Sequence, residues 1–459
     1  MIESPKSAVL VHISDIHFGQ EKDQRVHIHN DVKKQLIADA KRVVRDNLNA
    51  SAAAILVTGD IAFSGVEEQF KVAGEWLDAL AEAVGCPQNQ VQMVPGNHDL
   101  DRDKTSKSAQ YLLDLIRAGG PEEYEAVMSN STDRATLFAR FEDYERFCYG
   151  YRCELNGEAK AATNLQITLA PGRSVRFVRM NSSLLCTGTE RHDEPELLLG
   201  ERQFIIDRDD GVENIVLIHH PLNWYKDSSD VKTYMDSRAR ILITGHEHQP
   251  NVEVEQVGEG ADLMILAAGA TVPFKSNEVY TFTYNVIELE WDPADDDLIV
   301  TMHPRAWDPK GTCFVADDER LGGAEPQYKV RCPNFKLAPR PRVVEKEVAV
   351  ATGGAAAIAA ALPPLVELVP AEVEEGEVAD MPPAIEGYGP IELRFFRDLL
   401  EGERLRILIT LDAVPHDSDE RMNRGLQRKL LEWLAREGKL SDVERLMNEY
   451  MEERTKKGT

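Results

Sequence analysis

The sequence has none of the long apolar runs, clustered cysteines or basic tracts that mark several special classes of protein. No stretch of about 18 consecutive apolar residues occurs, so we expect no membrane-spanning helix. The six cysteines are scattered along the chain, which argues against a disulfide framework and favours a reduced environment. The first residues lack the charged start and apolar core of a signal peptide. We therefore expect a cytoplasmic protein without membrane attachment.

Positive charge is also scarce. Lys and Arg total 52 against 79 Asp and Glu, which gives a formal net charge of −27 over the 459 residues. A protein that follows a nucleic-acid backbone over many phosphates needs a basic surface, and this composition argues against tight binding of that kind. The composition does not exclude cleavage of nucleic acid, because bound cations change the electrostatic field of an active site.

The first part of the chain alternates between strand-like and helix-like patterns. Short apolar runs are followed by segments whose apolar residues recur at helical spacing. In chain order, the alternating segments are 8–14, 26–48, 52–60, 66–84 and 89–99. This β-α-β-α-β order predicts parallel strands with helices on the faces of their sheet.

A charged segment at about 101–160 interrupts the alternation, and its pattern predicts helices. It contains a group of aromatic residues for which we predict the inner face of a packed helix: Phe138, Phe141, Tyr144, Phe147, Tyr149 and Tyr151. The alternative is a lid whose rings stack on nucleobases.

Strand signals return after the insertion, with Gly- or Asp-rich turns that favour a more antiparallel second series. Together the two series predict an α/β fold with two β layers between outer helices, a four-layer α-β-β-α sandwich.

The composition changes near residue 341. Between residues 347 and 386 there are eight acidic residues and no Lys or Arg, which predicts a mostly disordered acidic linker. Four amphipathic segments follow and predict a small all-α module. The predicted domains are 1–340, with the insertion at about 101–160, then the linker 341–387 and the helical domain 388–459.

Side chains that bind metals follow the ends of five apolar strands. These groups are Asp15-Ile16-His17, Gly59-Asp60, Gly96-Asn97-His98-Asp99, His219-His220-Pro221 and Gly245-His246-Glu247-His248. The carboxyl ends of parallel strands share one edge of a sheet, and ligand sites gather there. Carboxylate oxygens and imidazole nitrogens suit divalent cations. A central carboxylate such as Asp60 can bridge two ions, an arrangement that suits phosphoester hydrolysis.

The ordered series D-x-H, G-D, G-N-H-D, H-x-P and G-H-x-H resembles that of the calcineurin-like metallophosphoesterases, over about residues 8–295. The resemblance implies a four-layer metallophosphoesterase sandwich and a first metal ion held by Asp15, His17, Asp60 and His248. It implies a second ion held by Asp60, Asn97, His219 and His246.

The resemblance also implies roles around these ligands. His98 would contact the scissile phosphate and stabilise charge or protonate the leaving oxygen, and Asp99 would orient His98. Gly96 would let the backbone turn. The H-x-P spacing selects His219 over His220 as the ligand, which leaves His220 near the substrate. Asn181 would also face the site, and both His220 and Asn181 are candidates for contacts around the metal ligands rather than for ligands themselves.

The ligand set suits manganese, with iron, zinc or magnesium as alternatives. The resemblance implies hydrolysis of a phosphomonoester or a phosphodiester by metal-bound hydroxide and does not fix the substrate. We expect a phosphodiesterase, a nuclease effector of a bacterial defence or signalling assembly that acts on DNA or RNA. One alternative is a nucleotide or cyclic-nucleotide phosphodiesterase. Another is a non-catalytic scaffold that works through its helical tail.

The tail resembles the effector-associated, death-like domains of bacterial conflict systems. It has a leucine-rich helix, a short turn before Pro415, a long helix, and a last helix after a glycine. The resemblance implies a protein partner that binds through residues 388–459. A homo-oligomer is a further expectation.

Overall fold

The computed structural model describes residues 7–20, 26–190, 194–258, 260–272, 282–317, 320, 326–337, 385, 387–414 and 424–457. The predicted acidic linker falls outside these residues, apart from 385 and 387. The predicted turn before Pro415 is present at 411–414, whereas Pro415 itself lies outside the described residues. No helix in the described part of the chain combines the length and apolar character needed to cross a membrane.

Strands and helices alternate along the described chain. Their bounds, in chain order, are β1 (Ala8–Ile13), α1 (Val26–Lys41), β2 (Ala52–Val57), α2 (Glu67–Val84), β3 (Val91–Met93), α3 (Lys107–Ser129), α4 (Ser131–Phe138), α5 (Glu142–Gly150), β4 (Ala162–Ala170), β5 (Arg173–Arg179), α6 (Glu201–Phe204), β6 (Val212–Leu217), α7 (Ser228–Arg238), β7 (Ala239–Thr244), β8 (Pro250–Gly258), β9 (Ala261–Ala268), β10 (Thr283–Asp292), β11 (Asp297–Asp308), β12 (Cys313–Ala316), β13 (Gln327–Val330), α8 (Pro333–Leu337), α9 (Tyr388–Asp398), α10 (Glu401–Thr410), α11 (Arg424–Arg436) and α12 (Leu440–Lys457).

The first sheet contains the three strands of the opening β-α-β-α-β series. Its order is β12-β11-β10-β1-β2-β3, and β13 also pairs with β11. The strands β1, β2 and β3 are parallel, as predicted, with Ile13 opposite Val57 and Val57 opposite Met93. The strand β10 runs antiparallel to β1 and extends the sheet on the other side.

The second sheet has the order β4-β5-β6-β7-β9-β8. Its four central strands, β5, β6, β7 and β9, are parallel, and only the edge strands β4 and β8 are antiparallel. The expectation of a more antiparallel second series was therefore wrong for the centre of this sheet. The reason lies in the connections: α7 provides the crossover that a parallel pair needs between β6 and β7.

The two sheets pack face to face between outer helices, which confirms the four-layer sandwich. Leu10 and Leu56 of the first sheet share a buried core with Ile215 and Ile241 of the second. The opposite face of the first sheet packs against α1 and α2, in a cluster that includes Leu36. Strands covered on both faces are apolar almost throughout, and this explains the continuous apolar runs in the sequence.

The insertion packs on α2 rather than standing free. Phe141, Tyr144 and Phe147 are buried, and the ring of Phe147 stacks on Phe70 of α2 with centroids 5.2 Å apart. The predicted inner helical face is therefore confirmed.

The helices α9 to α12 form a small all-α unit with a core of its own. Its buried residues include Phe395, Ile407, Leu431 and Met447, and Tyr149 of the insertion joins the same cluster. The helical domain is thus seated on α5 of the insertion.

Candidate metal centre

The five motif groups meet at the carboxyl ends of the strands, and their ligand atoms form two neighbouring sets. In the first set, Asp15 Oδ1 lies 3.2 Å from His248 Nε2. Also in this set, His17 Nε2 lies 3.7 Å from Asp60 Oδ2. The ligand atoms of Asp15, His17 and His248 lie within 4.8 Å of one another, as expected for ligands of one ion.

The second set lies on the other side of Asp60. Asn97 Oδ1 is 3.2 Å from His219 Nε2 and 3.2 Å from His246 Nδ1, and those two nitrogens are 3.2 Å apart. The other oxygen of Asp60, Oδ1, lies 3.6 Å from His219 Nε2. His219 Nδ1 is 2.7 Å from the Thr58 carbonyl, so Nε2 is the nitrogen available to a metal.

The backbone at these ligands is unusual. Five of the predicted ligands have a positive φ: Asp15 (53°), His17 (52°), Asp60 (53°), His246 (70°) and His248 (57°). Non-glycine residues rarely adopt this left-handed conformation, and such strain clusters at functional sites. Neighbouring loops hold the strained residues in place. For example, the amides of Asp15 and His17 donate to the carbonyls of Gly59 and Asp60 at 3.0 and 2.9 Å.

The electrostatics of the site fit a bound cation. Burial lowers the pKa of His17 to about 4 and that of His246 to about 3, which keeps both imidazoles neutral, as metal ligands must be. Burial opposes ionisation of Asp15, but the nearby histidines, His248 foremost, hold the pKa of this carboxyl well below its usual range. Asp15 Oδ1 is completely buried and makes no hydrogen bond of good geometry among the described residues, although His248 Nε2 lies 3.2 Å away. A buried carboxylate oxygen among imidazole nitrogens is suited to a divalent ion.

Gly96 has a different purpose from the one expected. Its φ is not positive, so the turn itself does not demand glycine. A Cβ at Gly96 would instead lie 2.1 Å from Asp60 Oδ1. Glycine is needed here because the Asn97 loop passes directly against the central carboxylate.

His98 is held by a residue that sequence reasoning did not select. Its Nδ1 lies 2.8 Å from the Phe63 carbonyl, and its ring stacks on the Phe63 ring with centroids 5.3 Å apart. Asp99 points elsewhere: its carboxylate accepts from the amides of Ala62, at 2.7 Å, and Gly96, at 2.9 Å. The expectation that Asp99 orients the His98 ring is corrected accordingly, because Asp99 joins the backbones of two loops.

The Asp99 side chain is completely buried. Burial, followed by the charge of Asp60, raises the pKa of Asp99 to about 7. Its two amide contacts tie the loop after β2 to the loop after β3, and these loops carry Asp60 and Asn97.

Five of the seven predicted ligands line an open cavity of about 340 Å³. Its lining residues are His17, Gln20, Asp60, Phe63, Asn97, His98, His246 and His248. Gln20 and Phe63 were missed in the sequence. Each stands three positions after a motif residue, His17 or Asp60, and that proximity was the only signal. The insertion aromatics are absent from this lining, so the described insertion does not form a nucleobase-stacking lid over the cavity.

His220 and Asn181 lie away from the cavity lining. His220 is fully buried, with Nδ1 2.8 Å from Ser182 Oγ, and its ring packs 4.4 Å from the ring of His246. It therefore packs behind a predicted ligand, outside the cavity lining, although its ligand nitrogen lies within 4.8 Å of those of His219 and His246. The Asn181 side chain accepts from the Ser183 amide at 2.9 Å, and the residue lines a separate small cavity. The expectation that Asn181 faces the site was wrong, because its side chain closes a local turn.

Comparisons with known proteins agree with this geometry. Residues 8–250, more than half of the chain, match the family described as Calcineurin-like phosphoesterase. Residues 388–449 match the GTPase-associated adaptor domain, which confirms that the helical module resembles an adaptor.

Individual relatives are distant. An uncharacterized metallophosphoesterase-like protein, YydB of Bacillus subtilis, is 24% identical over 348 residues, which cover 73% of this chain and 66% of that protein. The chain thus spans just under two thirds of the length of this relative. A dimetal phosphatase from Danio rerio is 12% identical, covering 71% of this chain and 98% of that one, with a TM-score of 0.41. A purple acid phosphatase from yellow lupin (Lupinus luteus) seeds is 11% identical, covering 71% and 56% of the two chains, with a TM-score of 0.36.

The family match covers all five motif groups completely and ends two residues after the last of them, at residue 250. This match and the two ligand sets around Asp60 lead to one conclusion: the chain belongs to the calcineurin-like phosphoesterases, a family of metal-dependent hydrolases with dinuclear centres.

Proposed function

We propose that the chain is a two-metal phosphodiesterase that cleaves nucleic-acid strands. The position of Asp60 carries this proposal: its Oδ2 lies 3.7 Å from His17 Nε2, and its Oδ1 lies 3.6 Å from His219 Nε2. A carboxylate between two ligand sets can bridge two ions. Paired ions suit displacement at phosphorus because they supply an activated water and neutralise charge on the attacking and leaving oxygens.

The ligand assignment follows the two sets. The proposed ligands of the first ion are Asp15, His17, Asp60 and His248, and those of the second are Asp60, Asn97, His219 and His246. Manganese is the proposed metal. Iron, zinc and magnesium are alternatives, because oxygen and imidazole ligands accept all of these ions.

His98 is the proposed proton donor to the leaving oxygen. Its Nδ1 is engaged by the Phe63 carbonyl at 2.8 Å, so Nε2 is the ring nitrogen left to meet a substrate in the cavity. The Phe63 carbonyl only accepts, so Nδ1 carries a proton and His98 donates as the imidazolium. Its Nε2 proton passes to the leaving oxygen as the bond from phosphorus to that oxygen breaks, and this leaves a neutral imidazole with its proton on Nδ1. Asp99 contributes indirectly, by holding the loops that carry Asp60 and His98.

The helical domain supports a role inside a larger assembly. We propose a division into a catalytic domain at 1–340, a linker at 341–387 and an adaptor domain at 388–459. The adaptor match supports recruitment by a protein partner. A nuclease effector of a bacterial defence or signalling assembly, working in the cytoplasm, would use such a domain to restrict cleavage to the place where the partner is.

The second candidate is a nucleotide or cyclic-nucleotide phosphodiesterase. The formal net charge of −27 favours this candidate, because long nucleic acids are repelled by an acidic surface more strongly than small nucleotides are.

The deciding experiment compares substrates on the full chain loaded with Mn²⁺. Single-stranded DNA, double-stranded DNA, RNA, a cyclic dinucleotide and bis(p-nitrophenyl) phosphate would each be incubated with wild type and with His98→Ala. A matched control is His303→Ala, since His303 pairs with Glu288 at 2.7 Å on the first sheet and is not among the cavity residues.

Strand cleavage that is lost in His98→Ala and kept in His303→Ala would support the nuclease. Turnover of the cyclic dinucleotide with intact polymers would favour the second candidate. If no diester is hydrolysed by the metal-loaded wild type, the proposed phosphodiesterase activity is wrong.

A further inference from the structure

Gln69 stands outside both ligand sets, in the first turn of α2, and yet its side chain holds the active-site loop after Asp60. Its Oε1 accepts from the Ser64 amide at 2.8 Å and from the Phe63 amide at 3.1 Å. One side-chain oxygen therefore satisfies two consecutive backbone donors of that loop.

The held segment is the one that contacts His98. The Phe63 carbonyl lies 2.8 Å from His98 Nδ1, and the Phe63 ring stacks on the imidazole at an interplanar angle of 27°. Two contacts of different kinds, one polar and one aromatic, thus come from one residue. Any rotation of the Phe63 backbone would disturb both at once.

Gln69 also closes against the loop that follows His17. A Cβ at Gly19 would lie only 2.4 Å from Gln69 Nε2, so the amide of Gln69 fills the space directly above this glycine. The side chain is therefore wedged between the loop after β1 and the loop after β2. The next residue, Phe70, is buried against Phe147 of the insertion, which anchors this turn of α2.

From this arrangement we propose that Gln69 is a positioning residue for His98, acting through the backbone of Phe63. The inference rests on the proposed role of His98 as proton donor. Without the Gln69 oxygen, the Ser64 amide loses this acceptor, and the Phe63 amide keeps its hydrogen bond to the Phe18 carbonyl at 3.0 Å. The Phe63 backbone is then held by fewer contacts, so its carbonyl can turn away from Nδ1. The imidazole then samples orientations in which Nε2 misses the leaving oxygen, and small misplacements of this kind cost about 100-fold in rate.

The test uses two variants of similar size in the full chain. Gln69→Met keeps the length of the side chain and removes the acceptor, whereas Gln69→Glu keeps acceptor oxygens and serves as the conservative rescue. Both are assayed with Mn²⁺ on aryl phosphodiesters whose leaving groups range from p-nitrophenol to phenol. Poor leaving groups depend on a proton donor, and good ones do not.

We expect Gln69→Met to lower kcat on the phenyl ester by about 10- to 100-fold and on the nitrophenyl ester by less than about 3-fold, with KM unchanged. His98→Ala should show the same dependence on the leaving group, only steeper. Gln69→Glu should stay within about 3-fold of wild type on both esters. Two metal ions per chain should remain bound in each Gln69 variant.

A second measurement does not need turnover. In protein labelled with ¹⁵N-histidine, the His98 signal, assigned by its loss in His98→Ala, should report a proton held on Nδ1 in wild type and in Gln69→Glu. Gln69→Met should show exchange between tautomers. An unchanged His98 signal, or equal losses on both esters in Gln69→Met, would overturn the inference. A wild type that binds metal and shows the Nδ1 proton but hydrolyses nothing would instead count against the proposed function alone.

Discussion

Arg397 of the helical domain donates through Nη1 to Oδ2 of Asp78 in α2, at 2.7 Å, and so joins the two folded parts of the chain. The same nitrogen lies 3.4 Å from the hydroxyl of Tyr151 in the insertion. A second ion pair joins Arg152 to Glu392 at 2.8 Å. The rings of Tyr149 and Phe396 pack edge to face, with their centroids 4.7 Å apart. The adaptor is therefore docked on the catalytic domain through polar and aromatic contacts.

Arg397→Ala should weaken this docking. The Arg397 side chain is 9% exposed and the Asp78 side chain 25% exposed. Removal of Arg397 leaves the Asp78 carboxylate with its hydrogen bond from the Tyr151 hydroxyl but without this charged partner, at a cost of about 1–2 kcal/mol. Limited proteolysis should release the helical domain faster than in wild type. The matched control is Arg445→Ala, whose ion pair with Glu449 is 55% exposed on both sides and should contribute below about 0.5 kcal/mol. Equal proteolysis rates for the two variants would contradict a docked adaptor.

Metal binding should stabilise the fold and depend on Asp60. An ion that binds only the folded chain adds about 4 kcal/mol at a concentration 1,000 times its Kd, so Mn²⁺ should raise the Tm and a chelator should lower it. Asp60→Asn should abolish this shift, and elemental analysis should find fewer than about one ion per chain where wild type holds about two. A Tm shift of wild-type size in Asp60→Asn would rule out a central bridging role.

Asp99 and His98 are neighbours, but substitution of Asp99 should mainly lower stability and substitution of His98 should mainly lower activity. Asp99→Ala leaves two buried amides, those of Ala62 and Gly96, without an acceptor, at a cost of about 2–4 kcal/mol in the free energy of unfolding. His98→Ala removes a partly exposed ring and should cost below about 1 kcal/mol while it abolishes hydrolysis. Chemical denaturation measured beside activity checks both. Similar unfolding free energies for the two variants would contradict the structural role of Asp99.

Thiol reactivity should distinguish one cysteine from the other five. Cys313 is exposed, whereas Cys86, Cys148, Cys153, Cys186 and Cys332 are buried. Burial also raises the pKa of Cys86 to about 12, so its reactive thiolate is scarce at neutral pH. An aromatic disulfide reagent should modify one thiol in native protein and six after denaturation, and Cys313→Ser should abolish the native reaction. Rapid labelling of Cys148 or Cys153 would show that the insertion opens in solution.

Much of the architecture was predictable from local patterns. The apolar runs before Asp15, Asp60 and Asn97 predicted buried parallel strands. The order of the motifs indicated that their side chains share one edge of the sheet. The pairing of β5, β6, β7 and β9 was not predictable, because turn residues report local bends, while strand direction depends on the length and path of each connection. The site shows the same division. The types of the metal ligands could be read from the sequence. The partner of His98 could not, because it is a backbone carbonyl, and every residue type has one.

The sequence by itself determined which groups have the chemistry of metal ligands, that apolar strands precede them, and that amphipathic helical segments follow an acidic one. These properties depend on residue type and spacing, which act over a few neighbours in the chain. Only the tertiary structure decided that Phe63 and not Asp99 meets the His98 ring, that Gly96 is needed for its closeness to Asp60, and that the adaptor rests on the insertion. Such contacts join residues far apart in the chain, and packing of the whole fold selects them.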